Sequence, residues 1–174
     1  LMELPLLEQK TAEEIVKEIC NKYHRELNPE VLDIILRKEK NGIPALSNPL
    51  WLSMAIEELN LIDSDDFAYA DKEYKGDSES KLFQLLLDKA TNMPAVVEEL
   101  YQWIFKRLEK VFGKSFVKSC LGLIAIGRKG WGERELEVLV PEITKEKWVA
   151  LNWAAMRRLL RAHLVQSDTG LWRF

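Results

Sequence analysis

Any nucleophilic or metal chemistry in this chain would have to be built from His24, His163, Cys20 and Cys120, its only histidines and cysteines. Acyl transfer needs a nucleophile, a base within hydrogen-bond reach and a group that orients the base. The two histidines fall on separate predicted helices and form no such set. His24, between Tyr23 and Arg25, reads as a surface residue on a helix flank. His163 reads as a cation closing a long helix, where the helix dipole favours positive charge. No Cys/His cluster has the spacing of a metal site. Asp63, Asp65 and Asp66 have the composition of a calcium loop but lack its glycine and distal glutamate, so a solvated loop is expected there. No Gly-x-x-x-x-Gly-Lys-Ser/Thr cradle is present. Gly127-Arg128-Lys129-Gly130-Trp131-Gly132 is glycine-rich without that register and does not follow a strand. The chain therefore reads as non-catalytic, with no metal or catalytic residue.

A second kind of chemistry is the neutralisation of phosphates. Arg157, Arg158 and Arg161 fall on a predicted long helix, with Arg128 and Lys129 on a turn. In a DNA-binding winged helix the long helix enters the major groove and such cations contact the backbone. Against that reading stand Glu133, Glu135, Glu137 and Glu146 nearby, and the hairpin tip Ser167-Asp168-Thr169-Gly170 carries no cation. Nucleic acid is the disfavoured partner, with Arg157, Arg158 and Arg161 as its contacts if it binds.

The elements that position these residues follow from composition and periodicity. Of 174 residues, 47% are hydrophobic and 30% charged, a balance that suits a folded chain. Glycine and proline are scarce, which favours helices. No apolar run reaches the roughly 18–20 residues that span a bilayer. Both cysteines fall at apolar helical positions, which points to buried free thiols and a reducing cytoplasm. The start has no signal-peptide pattern and no methionine at position 1, so the chain reads as a piece of a longer protein. Residues 1–112 carry 14 basic and 22 acidic side chains, net −8; residues 113–174 carry 11 and 6, net +5. That asymmetry predicts two units: a helical subdomain over 1–112 and a second domain over 113–174.

Thr11-Ala12-Glu13-Glu14 has the form of a capping box, with Ile15, Val16, Ile19, Tyr23 and Leu27 following at helical spacing. Asn28-Pro29 and Asn48-Pro49 each place a capping side chain before a proline at the first helical position. The first of these helices is predicted to stop at Asn41-Gly42, and Ile43–Ser47 reads as a short loop. The second, Leu50 to about Leu59, is apolar around most of its circumference and is expected to be central. Residues 60–80 read as an acidic surface loop with a short helical turn around Phe67–Tyr69. Helices are expected over Lys81–Ala90 and from Asn92-Met93-Pro94 to Phe112, the latter with a Val97, Leu100, Tyr101, Ile104, Leu108, Val111 stripe. Gly113 marks the boundary. Beyond it, the pattern predicts a helix over Phe116–Ile126 and a short helix over Glu133–Val140 broken by Pro141. Next comes a helix of about 18 residues capped by Thr144, with Trp148, Leu151, Ala155, Leu159 and Ala162 inward. Leu164–Gln166 and Leu171–Phe174 then flank a hairpin turn. That order is the order of a winged helix, so the predicted fold is mainly α, a helical subdomain followed by a winged-helix domain with a small β-hairpin. Core packing is the default role of the six tryptophans, with Trp103 and Trp153 off the main stripes and expected to face a partner domain.

Three features together carry a family resemblance. Leu4-Pro5-Leu6-Leu7 before a helix resembles a chain leaving a core strand, Ser47-Asn48-Pro49-Leu50-Trp51-Leu52 resembles a Gly-x-Pro-Leu segment, and Leu123–Leu139 resembles the start of a winged helix. In this order and spacing they resemble the region after the nucleotide-binding core of signal-transducing P-loop ATPases of the NACHT and NB-ARC type. The resemblance implies a regulatory fragment that closes over ATP or ADP held by an upstream core and relays the nucleotide state, with Pro49 against the adenine. It also implies a downstream repeat or sensor domain as a partner. Ser47 or Asn48 stands where the family has a glycine, and the family's phosphate-reading histidine, just beyond the hairpin, has no match in His163. Two other readings of the residues remain beside it: a winged-helix DNA-binding regulator and a protein-interaction scaffold.

Overall fold

The computed structural model describes residues 7–174, so Leu4–Leu6 of the strand-exit feature lie outside the described residues. The chain is mainly helical, with nine α-helices and two small antiparallel hairpins among the described residues. It divides into two compact units, one up to Trp103 and one from Ile104 to Phe174.

In the first unit, α1 (Gln9–Lys22) buries Ala12, Val16, Ile19 and Cys20 along one face. It starts at Glu8, so Thr11 lies inside the helix and caps nothing. The helix α2 (Pro29–Leu36) starts where Asn28 accepts a hydrogen bond from the Glu30 N–H. It stops at Arg37, four residues before the predicted end. Asn41-Gly42 is instead the turn of a hairpin pairing β1 (Glu39–Lys40) with β2 (Ile43–Pro44). Asn41 and Gly42 have φ of 55° and 76°, the two consecutive positive values of a type I′ turn, which Asn-Gly adopts at least cost.

A 3₁₀ turn, Ala45–Ser47, leads into α3 (Pro49–Asn60). Asn48 caps it, accepting from Leu50 N at 3.0 Å and Trp51 N at 3.3 Å. Trp51, Leu52, Met54, Ala55, Ile56 and Leu59 are all buried, and this helix packs against α1, the 3₁₀ turn and α5. The leucine, isoleucine and methionine side chains among them each contribute roughly 1.5–3 kcal/mol on leaving water, which is what an apolar circumference requires.

The acidic stretch is not a loop. Ser64–Glu73 forms α4, and Ser78–Asn92 forms α5. Asp63 accepts from Asp65 N and Asp66 N while the Asp66 carboxylate accepts from Asp63 N, a reciprocal cap. In place of the expected solvated loop, the Asp63 and Asp66 carboxylates therefore start a helix, and they sit at the positive end of its dipole. Asp77 caps α5 through Ser80 N. Lys89 pairs with Asp66 at 2.7 Å, tying α5 to α4.

The helix α6 (Val97–Phe112) runs through the division between the units, with Leu100, Ile104 and Leu108 buried at four-residue spacing. Val111, predicted for the same stripe, is exposed.

In the second unit, α7 (Lys114–Ile126) packs on α8 (Glu133–Thr144). Pro141 does not break α8. The ring removes one backbone donor, yet the helix continues a turn further. It closes where Lys145, at φ 60°, donates its N–H to Pro141 O at 2.8 Å. Thr144 belongs to that closure, its hydroxyl donating to Val140 O at 2.9 Å, so it does not start the next helix. The next helix, α9, runs only over Ala150–Leu159. Its inward face is Trp153, Met156 and Leu159, the last as predicted; Leu151, also predicted inward, is 78% exposed. The hairpin β3 (Val165–Gln166) and β4 (Trp172–Arg173) forms as predicted. Trp131 extends it, exchanging backbone hydrogen bonds with Trp172 at 3.0 and 2.8 Å. Gly130 allows that approach: at φ 91°, a Cβ there would stand 2.6 Å from Trp172 O.

Candidate functional site

Pro49 is exposed at the first position of α3. Its missing N–H costs nothing there, and Asn48 satisfies the next two donors. Two exposed apolar side chains accompany it in the same segment, Ile43 on β2 and Leu50 on α3. Beside them lies an open cleft of about 400 Å³. The hairpin supplies one wall through Lys40, Asn41, Ile43 and Pro44, and residues 95–98 at the start of α6 supply another. Trp51 lines the cleft, and its indole N–H donates to Pro94 O at 2.8 Å, fixing the second wall to α3. Ser47 donates its hydroxyl to Pro44 O at 2.6 Å, bracing the 3₁₀ turn. Lys40 forms an ion pair with Glu99, in the first turn of α6. Pro49 stands next to this cleft in sequence but does not line it. Chemically, the lining offers apolar surface from Ile43, Pro44, Trp51 and residues 95–97, together with the Asn41 and Asn48 amides, the Ser47 hydroxyl, Lys40 and the Glu98 carboxylate.

The hairpin wall stands where a short loop is expected from Ile43–Ser47, and Asn41-Gly42 is its turn. The cleft itself joins residues 40–51 to residues 95–98, which no local pattern could reveal.

The other predicted contact set is split by the fold. Arg157 does not face outward with Arg158. Its guanidinium lies over Trp172 at 4.9 Å and Trp153 at 5.6 Å from the ring centroids, with Glu133 at 3.6 Å. Those rings belong to a chain of aromatic contacts: Phe116–Trp148 at 5.7 Å, Trp148–Trp153 at 6.2 Å and Trp153–Trp172 at 6.0 Å. Arg157 thus closes the inside of its own unit. Arg158 is exposed on α9, and Arg161, also exposed, lies beyond the end of that helix. Trp153 is fully buried, so it presents no face to a partner.

His24 is exposed, at φ 50° in the turn after α1, and His163 is buried beyond the end of α9. Cys20 and Cys120 are buried free thiols. Burial pushes the Cys120 thiol up to about 12 and raises that of Cys20 as well, which keeps both protonated and unreactive. Among the described residues no group of His, Cys, Asp or Glu could hold a metal ion, and no helix is long and apolar enough to cross a membrane.

The fold and site define a mainly helical chain of two compact units with an open, proline-flanked cleft in the first. Comparison with known protein families, curated proteins and solved structures finds no match to this chain.

Proposed function

We propose that this chain is a non-catalytic regulatory portion of a signal-transducing P-loop ATPase, closing over nucleotide bound by a core outside the chain and relaying its state. The observation that carries the reading is the Asn48-Pro49 start of α3. A rigid, exposed proline edge heads a helix that is otherwise buried almost all round. Such an edge suits the flat face of a base, because nothing in it has to be ordered when the base arrives. In the second unit, the order α7, Trp131 bridge, α8, α9 and hairpin supports a winged-helix reading, with the bridge as a third short strand. A two-state interface biased by nucleotide contacts is the physical logic of the relay. ATP or ADP would be held by the upstream core, and a downstream repeat or sensor domain would read the movement.

The test is direct. The coding sequence upstream of Leu1 should contain a Gly-x-x-x-x-Gly-Lys-Ser/Thr motif within a few hundred residues, and its absence there would discard the reading. In the protein carrying that core, Pro49→Ser should weaken ADP retention roughly tenfold, the scale of one lost apolar contact. The chain by itself should turn over no ATP.

A winged-helix DNA-binding regulator is the second reading. With Arg157 held between two tryptophans, it rests on Arg158 and Arg161. Salt-sensitive anisotropy with duplex DNA would favour it.

A further inference from the structure

We propose that a second cleft of the first unit docks a basic amphipathic helix of a partner protein. This inference rests on that unit alone and needs no nucleotide. The cleft lies among the α1–α2 link, the end of α3, α4 and α5, and holds about 280 Å³, room for one or two side chains. Its lining is mostly apolar: Leu27, Leu59, Ile62, Phe67, Leu82 and Leu86. Leu59 is buried, but Phe67 is 47% exposed, an aromatic ring left half in water. Rings of this kind dominate the energetics of association once a partner covers them. Both walls are pinned in advance. His24, at φ 50°, turns the chain after α1, and the Arg25 guanidinium then donates to Asn60 O at 3.1 Å. That bond fixes the link to the end of α3 with Leu27 on the cleft. On α4, Asp66, next to Phe67, pairs with Lys89 of α5 at 2.7 Å, both side chains largely buried. A preformed site loses little freedom on binding.

Charge decides the occupant. The Asn60 amide of the lining already donates to Ile56 O at 2.9 Å, and Arg25 is turned to Asn60 O, so Glu26 is the lining's uncommitted charge. Residues 60–90 carry eight acidic and four basic side chains, net −4. Asp66 and Asp71 are paired with Lys89 and Lys81. Glu26, Asp65 and Glu79 are exposed and form no ion pair among the described residues. Glu79 shares the α5 face of Leu82 and Leu86, three and seven residues on, and Asp65 stands two residues before Phe67. The apolar lining is thus set in acidic surroundings. A second copy meeting this face with its own brings like charge, which costs affinity. A helix with an apolar stripe and lysines or arginines beside it matches both the lining and its surroundings.

The probe is a synthetic helical peptide with leucines at i, i+3, i+4 and i+7 and lysines beside them, titrated with the whole chain and read by fluorescence anisotropy. It should bind, and more weakly in about 0.5 M NaCl. Phe67→Ala should weaken binding about tenfold, the scale of one lost anchor. Tyr69→Ala removes a similarly exposed ring of α4 that does not line the cleft, and should change nothing. Glu26→Gln combined with Glu79→Gln should weaken binding about threefold. A peptide with glutamates in place of the lysines, and one of the same composition in permuted order, should not bind. Failure of the lysine peptide to bind, equal binding of either control peptide, or indifference to Phe67→Ala would each overturn the proposal. So would sedimentation of the chain alone as a dimer that Phe67→Ala disperses, which assigns the cleft to a second copy. Should Phe67→Ala loosen α4, the amide resonances of Glu26, Leu27, Leu82 and Leu86 in the unaltered chain decide instead. The lysine peptide should move them and the permuted peptide should not.

Discussion

Helices α2 to α5, in the first unit, each begin on a side chain: Asn28, Asn48, Asp63 and Asp77 accept from the first free N–H groups. In the second unit α7 starts at Gly113 and α9 at Val149, neither with a side-chain cap. What that unit has instead is the aromatic chain from Phe116 to Trp172, closed by Arg157. Helices α2 to α5 are thus written in local signals, and α7 and α9 in long-range packing. A local signal fixes where a helix starts before anything else folds. A packing signal fixes it only when the rest of the unit is present.

The largest effect should come from the packing signal. Trp153 is fully buried and touches rings on two sides. Trp153→Ala should destabilise the second unit by about 3–5 kcal/mol, and the start of α9 should fray with it. Urea unfolding followed by near-ultraviolet circular dichroism would measure the loss. A cost below roughly 1 kcal/mol would mean that α9 is fixed locally after all, and the contrast would fail.

This contrast also explains what could be read in the sequence. The starts of α2 and α3 were legible because Asn-Pro states a cap and a φ angle together. Asp63-x-x-Asp66 was equally local, but its acidic surroundings suggested a solvated loop, and only the paired hydrogen bonds show otherwise. Asn41-Gly42 satisfies both a helix stop and a hairpin turn, since each needs positive φ; what decides is that β2 returns beside β1. The start and register of α9 are hidden in the sequence because Thr144 has the chemistry of a cap, whereas its hydroxyl closes α8. The helix turns Trp153 inward, and Leu151 is left to solvent. Pro49 was visible as a helix head. The cleft beside it is not, since a third of its lining, residues 95–98, lies some fifty residues away.

The next effect belongs to the local signals. Asn48→Ala removes the acceptor for Leu50 and Trp51 and should cost about 1 kcal/mol. The reciprocal change sharpens the comparison. Val149→Ser supplies a cap where the second unit has none, and should add a few tenths to about 1 kcal/mol. Finding that Val149→Ser destabilises the unit would show that its packing fixes the helix start against any local preference.

Arg157→Met keeps the stem and removes the charge above Trp153 and Trp172. The expected loss is about 1 kcal/mol, from the cation–ring attraction. Glu133→Gln, at 3.6 Å on a partly exposed pair, should cost much less. Equal losses would assign the energy to the ion pair and remove Arg157 from the aromatic chain.

The smallest effect concerns pH at the α5 start. The Asp77 carboxylate is held below its ordinary value of 3.8 by hydrogen bonds from Ser80, from the side chain first and then the backbone. A depressed carboxylate contributes stability that is fully present above the unfolded value and is lost as pH falls through the folded one. The first unit should therefore weaken slightly as pH drops below 3.8. Asp77→Asn keeps an acceptor for Ser80 N without a titrating proton, so that acid-dependent part should vanish while most of the cap remains. Helicity measured across that pH range would separate the two. Identical acid profiles for Asp77→Asn and the parent would show that α5 starts independently of the charge on its cap.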